Sequence, residues 1–178
     1  MSIAPPPQSV ALLDPAGLVA YPWYSFFRDT YTFLQGPHVV ASTAAGQTIE
    51  NNPNPLIIIV YGTKTLDTHG SFNAATGVFT CPITGWYEVG ASLAWATVAW
   101  GVTKTTYIAA YRNDAVKVVL DHHVTEGGVT KRLMIGGSTT MYLEKDDTLD
   151  IRIFHDRGSD TDMYNSAPFN NLSIHRVL

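Results

Sequence analysis

The chain has a single cysteine, Cys81, among 178 residues. No intrachain disulfide can form, and a reducing compartment of synthesis is the expectation. Charge is scarce. Only 15% of residues are Asp, Glu, Lys or Arg and the net charge is -4, where soluble domains carry about a quarter charged residues. Low charge suggests a surface partly covered by partners. No basic run is present to neutralise a phosphate backbone, which argues against nucleic acid, and no basic amphipathic helix marks a membrane surface. The longest apolar run, Leu56-Ile57-Ile58-Ile59-Val60-Tyr61, is six residues. A membrane-spanning helix takes about 20, so no membrane insertion is expected. Met1 to Pro7 has neither a basic opening nor an apolar centre, so a secretory signal is not expected. No G-x-S-x-G, H-E-x-x-H or paired-cysteine pattern occurs, and Gly127-Gly128 and Gly136-Gly137 lack a phosphate-loop lysine. No catalytic residue is assigned, and an enzyme is not the expectation.

What the chain does hold is a succession of strands and tight turns. In Ser71–Val89, Asn73 and Gly77 bracket one reversal and Pro82 and Gly85 another, with Phe72, Phe79 and Tyr87 as apolar anchors between them. Asn73 can accept a bond from its own backbone two residues on, and Gly77 supplies positive φ. Pro82 ends a ladder and Gly85 lets the next begin. Residues 86–95 alternate, with Tyr87, Val89, Ala91, Leu93 and Trp95 on one face and Trp86 and Glu88 on the other. Tyr107–Arg112, Asn113-Asp114 and Val116–Leu120 read as a hairpin. In 138–153, Met141, Leu143, Leu149, Ile151 and Ile153 take core positions by period two. Leu56–Tyr61 reads as a buried strand and Asn171–Ile174 as a closing one. Cys81, before Pro82 and with no neighbouring His, reads as a buried structural thiol.

The order F-N-x-x-T-G-x-F-T-x-P-x-x-G-x-Y over Phe72–Tyr87 resembles the globular head of the C1q family. The stretch 138–153 resembles that family's S-x-x-L-x-L-x-x-G-D-x-V-x-V-x-L hairpin, with Asp146 where the family has glycine. The resemblance covers roughly residues 56–178. It implies an all-β, C1q/TNF-like jelly-roll sandwich preceded by an extended N-terminal segment and a short helix. It also implies a homotrimeric binding module rather than an enzyme.

The first 36 residues differ in character. Pro5-Pro6-Pro7 favours extended polyproline geometry, and Asp14-Pro15-Ala16-Gly17 signals a turn. Pro22 opens a helical run that Gly36-Pro37 closes. Within it Trp23, Phe26, Phe27, Thr30, Tyr31 and Leu34 share one face. An aromatic helix this short needs a partner: its own β domain, other copies, or a docking protein. The leader resembles those of tailed-bacteriophage structural proteins. The domain expectation is therefore an anchoring segment 1–36, a Thr/Ala/Gly/Asn-rich linker 37–55 and a head 56–178. Trp23, Phe26, Phe27, Tyr31, Leu34, Trp86 and Glu88 are the candidate attachment and oligomer residues.

Ligand chemistry is sparser. Sheet faces of a jelly roll go to core and subunit contacts, which leaves binding to loops. Candidate ligand-binding residues are Trp100 at the apex of the 97–106 loop, and Arg157 and Tyr164 in the 155–168 loop; the 121–132 loop is a third candidate. The two aromatic rings could stack on a host-surface glycan. Asp156, Asp160 and Asp162 are candidate calcium ligands, against the alternative of a solvated loop. Asp121-His122-His123 offers at most one metal ligand, since neighbours on a strand point to opposite faces. No other cofactor is implied. Three readings remain open: a virion structural protein of a tailed phage (tail fibre, tail tip or head fibre) that touches host surface or neighbouring virion proteins; a cellular C1q/TNF-like recognition protein; and a carbohydrate-active virion enzyme.

Overall fold

The computed structural model describes residues 5–7, 11–34 and 36–177. The side chains of Tyr31 and Leu34 lie outside the described part. The chain divides into two compact units, Met1–Gly36 and Pro37–Leu178.

In the first unit, Asp14 Oδ1 accepts the amides of Ala16 and Leu18, each at 2.9 Å. With Gly17 at φ 79° this folds a tight reversal that brings Leu13 opposite Val19. Helix α1, Tyr21–Leu34, follows, with Pro22 in its first turn, where a missing N–H costs nothing. Trp23, Phe26 and Phe27 cluster on it, their ring centroids 5.6–6.1 Å apart. Leu12, Leu18, Tyr21, Tyr24 and Phe27 are exposed.

The second unit is built of antiparallel strands. Along the chain come β1 (His38–Ser42), β2 (Thr48–Ile49), β3 (Ile57–Ile58), β4 (Thr63–Asp67), β5 (Phe72–Asn73), β6 (Val78–Thr80), β7 (Gly85–Ala94) and β8 (Val98–Trp100). Then follow β9 (Thr105–Arg112), β10 (Val116–Val124), β11 (Val129–Lys131), β12 (Met134–Leu143), β13 (Thr148–His155), β14 (Thr161–Asp162) and β15 (Asn171–Val177). One sheet has the order β12-β7-β15-β1-β4, the other β10-β9-β13-β6-β5 with β3 beside β13. Two further pairs, β11-β8 and β14-β2, close one end. This is a jelly-roll sandwich, as expected from the resemblance.

The alternation of β7 decides its two faces: Tyr87, Val89, Ala91 and Leu93 are buried, while Trp86 is exposed and Glu88 half-buried. Facing them from the second sheet are Phe79, Ile108, Ala110, Leu149, Ile151 and Ile153. Phe79 and Tyr87 meet edge to face at 5.7 Å and join the sheets. Asn73 Oδ1 accepts the Ala75 amide at 3.0 Å, and Gly77 has φ 74°. Asn113 and Asp114 both have positive φ, the two-residue hairpin geometry that matches strand twist. Asp146 keeps the left-handed turn with φ 71°, although its family counterpart is glycine.

Two expectations are corrected. Residues 37–55 are not a linker: they hold β1, which lies between β15 and β4, and β2 with the buried Ile49. Their Thr/Ala/Gly/Asn composition reads as loop because β1 is only five residues long and β2 two. The buried strand expected over Leu56–Tyr61 shrinks to β3, although Ile59 and Tyr61 remain fully buried.

Candidate functional site

The loops expected to bind ligand are built as structure. Trp100 is not at an exposed apex; it lies on β8 and is fully buried. Its ring packs edge-on against Trp95 at 5.8 Å and near His155 at 6.3 Å. Trp95 Nε1 donates to Thr106 Oγ1 at 3.1 Å, and that hydroxyl donates to the Phe154 carbonyl. His155 Nε2 donates to the Ile49 carbonyl at 3.1 Å, while Nδ1 accepts the Arg157 amide. Burial holds this imidazole below the usual histidine range. The 97–106 and 121–132 loops are tied together by the β8–β11 ladder and by Thr125 Oγ1, which donates to the Gly101 carbonyl.

Arg157 donates to the carbonyls of Ala99 and Asp160, at 3.3 and 2.6 Å. Tyr164 has a face covered by Arg132, whose guanidinium carbon sits 3.4 Å from the ring centre, and Phe169 stands beside it. Trp100 offers no open face for sugar stacking, and Arg132 occupies one face of Tyr164. The carboxylates also diverge. Asp156 Oδ1 accepts the Thr105 amide, Asp160 Oδ1 the Asn51 amide, and Asp162 Oδ1 the Thr48 hydroxyl. Each pins a different segment, and they do not gather around a calcium-sized point. Among the described residues no group of three His, Cys, Asp or Glu side chains could hold a metal ion. Cys81 is buried, its thiol donating to the Ile83 carbonyl at 3.2 Å, and burial pushes its pKa up.

The open chemistry lies instead on the outer face of the five-stranded sheet. The ladder pairs Trp86 with Tyr142, and their rings meet edge to face at 5.5 Å. Trp86 is 53% and Tyr142 42% exposed, and Met134, at the far end of β12, is 57% exposed. Between these apolar ends the face is cut down to small residues. Gly90, Ser92, Gly136, Ser138, Asn171 and Ser173 line a shallow trough of about 590 Å³, with Asp121 at its rim. Asp121 Oδ2 accepts the Gly136 amide at 2.9 Å and so holds β10 to β12. The face also carries His38, His175 and Glu88, with His175 Nε2 3.3 Å from Glu88 Oε2. Trp86 and Glu88 thus stand where alternation places them. Tyr142 and Met134 were missed, although they follow from the same period once β12 pairs with β7. The His38–His175 pair had no local signal, because it joins the first and last strands of the head.

The sandwich ties its candidate loops by internal hydrogen bonds and keeps large exposed apolar side chains on one sheet face. The family comparison carries this further: the C1q domain model matches residues 41–170, and the chain belongs to that family. No curated protein matches the chain. Among solved structures it is similar to the globular domain of zebrafish complement 1qA protein, at 16% identity over 80% of this chain and 98% of that one, with a TM-score of 0.58. It is also similar to murine APRIL, at 9% identity over 80% of this chain and 99% of that one, with a TM-score of 0.57. Eiger TNF from S. frugiperda gives 12% identity over 80% and 92%, with a TM-score of 0.56. At these identities the likeness is one of fold.

Proposed function

We propose that the chain is a non-enzymatic structural protein of a tailed-phage particle, with a C1q-like head that assembles as a homotrimer through the outer face of its five-stranded sheet. The observation that carries the assembly reading is that face: exposed Trp86, Tyr142 and Met134 around a trough of Gly and Ser side chains. Large exposed apolar groups around a close-approach surface mark a subunit contact. A cyclic arrangement lets each copy offer this face to the next without leaving an open end.

In this reading the leader, residues 1–36, is the attachment element that joins the head to other virion proteins. Its support is the aromatic cluster of Trp23, Phe26 and Phe27 and the exposure of Leu12, Leu18, Tyr21 and Tyr24 in a unit with its own fold. The head then meets the host surface or a neighbouring virion protein. The protein would reside in the virion after assembly in the host cytoplasm. Glycan stacking on Trp100 and Tyr164 is not part of the account, because Trp100 is buried and Arg132 occupies one face of Tyr164. Removing residues 1–36 should leave a folded head that fails to enter particles. A truncated protein that still incorporates at the normal level refutes the leader's role, and release of sugar from host polysaccharide by the intact protein refutes the non-enzymatic one.

A further inference from the structure

The connection between β8 and β9 holds a strained residue. Among the described non-glycine residues with positive φ, Asn52, Asn113, Asp114 and Asp146 are types that tolerate it, whereas Thr103, at φ 57°, is β-branched. Such a conformation persists only where the surroundings impose it. Thr125, 1% exposed, imposes it here. The Thr103 amide donates to the Thr125 carbonyl at 2.7 Å, the Thr125 amide to the Lys104 carbonyl at 2.8 Å, and the Lys104 amide to Thr125 Oγ1 at 3.0 Å. Thr125 Oγ1 donates in turn to the Gly101 carbonyl. What this rigid loop presents is Val102. At 58% it is the most exposed large apolar side chain described in the head.

The loop stands at the end of the sandwich away from the chain's entry. The head begins at Pro37, whose carbonyl accepts the Arg176 amide, and β1 opens with His38 level with His175 and Glu88. From Glu88, β7 runs on to Ala94, and Trp95 just beyond it donates to Thr106 near the start of β9. Residues 101–104 lead directly into β9, so about 20 Å of strand separates the loop from Pro37.

We propose that the 101–104 loop is the head's contact with a host-surface protein, with Val102 as an apolar anchor that enters a small pocket of that partner. The inference rests on the reading of residues 1–36 as the particle attachment: a head held at one end presents the other outward. The chemistry favours a protein over a glycan. Thr103 Oγ1 donates to the Val102 carbonyl at 2.7 Å and Thr125 Oγ1 to that of Gly101, so neither hydroxyl is left to donate to a sugar. A fixed aliphatic anchor loses little conformational entropy on entering a pocket. Lys104, its stem folded over Gly101, adds one positive charge and suits a pocket with a carboxylate at its edge. A turn that only joined β8 to β9 would be served by glycine or asparagine at 103 and needs no exposed valine at 102.

The experiment measures binding of the labelled full chain to cells of the host by flow cytometry. Wild-type chain should bind saturably, lose binding to protease-treated cells and keep it on periodate-treated ones. Val102→Asp should weaken binding about tenfold or more. Thr103→Gly, which relieves the strain and loosens the loop, should weaken it several-fold while the circular-dichroism spectrum stays that of the wild type. Val119→Asp, an equal change at an exposed valine of β10, should leave binding unchanged. Should Val102→Asp fold poorly, Val102→Ala decides in the same direction. No binding by the wild-type chain, binding lost to periodate instead of protease, or undiminished binding by the position-102 or position-103 variants overturns the proposal. Mass spectrometry of purified particles keeps the two claims apart. A chain present in particles whose Val102→Asp form binds normally sinks this inference alone, and a chain absent from particles sinks the reading beneath it.

Discussion

Gly77 carries two constraints at one position. Its φ of 74° is a region that side chains avoid, and a Cβ there would stand 2.3 Å from the Ile59 carbonyl oxygen. Gly70 has φ 62° but open space around it. Gly77→Ala should therefore cost about 2 kcal/mol or more, from backbone strain and clash together, and Gly70→Ala about 1 kcal/mol from strain alone. Chemical denaturation of the two variants checks the difference; equal losses contradict it. His155 sets an acid limit in the same unit. It is fully buried between Trp95 and Trp100, and burial lowers its pKa. A histidine depressed in the folded state contributes stability that is present above its unfolded pKa of about 6.5 and is lost as pH falls through the folded value. Unfolding free energy should decline below about pH 6.5, and His155→Gln should flatten that decline while lowering stability overall. An unchanged pH slope in the variant would assign the decline elsewhere. At this scale the sequence was readable where one residue type has one use, as with Asn73 and Gly77. It misled where a type has two: Trp100 served the core, not a ligand.

The strands that alternate cleanly were legible as elements, because period two fixes which face is buried. β7, β12 and β13 have Tyr87, Val89, Ala91, Leu93, Met141, Leu143, Leu149, Ile151 and Ile153 in the core, where the pattern places them. The short ones were not. β1 and β2 hide in a stretch of loop-like composition, and β8, β11 and β14 exist only because a distant partner pairs with them. Such pairing leaves no local periodicity. The same long-range logic explains the candidate site, in which a row of side chains from the first, third and last long strands meets on one face. Elements also impose packing limits. At Gly137 a Cβ would lie 2.3 Å from the Leu120 carbonyl oxygen, where β12 passes the bulged edge of β10. Gly137→Ala should force these strands apart and cost about 1–3 kcal/mol, as overpacking does. A thermal midpoint within error of the wild type would show that the edge has slack.

For the whole molecule, the account turns on what covers the outer face of the five-stranded sheet. The family places the chain among C1q domains, and the exposed Trp86 and Tyr142 mark the surface that copies would share. A charge placed on such a contact blocks assembly while leaving the fold, since both side chains point away from the core. Trp86→Glu combined with Tyr142→Glu should therefore yield a folded monomer with the circular-dichroism spectrum of the wild type. If the double variant stays assembled, the contact lies on another face. Light scattering coupled to size exclusion, on the wild-type chain at micromolar concentration, is the most direct test of the central claim. The account predicts a molar mass three times that of the 19.4 kDa chain; a stable species at the mass of one chain contradicts it.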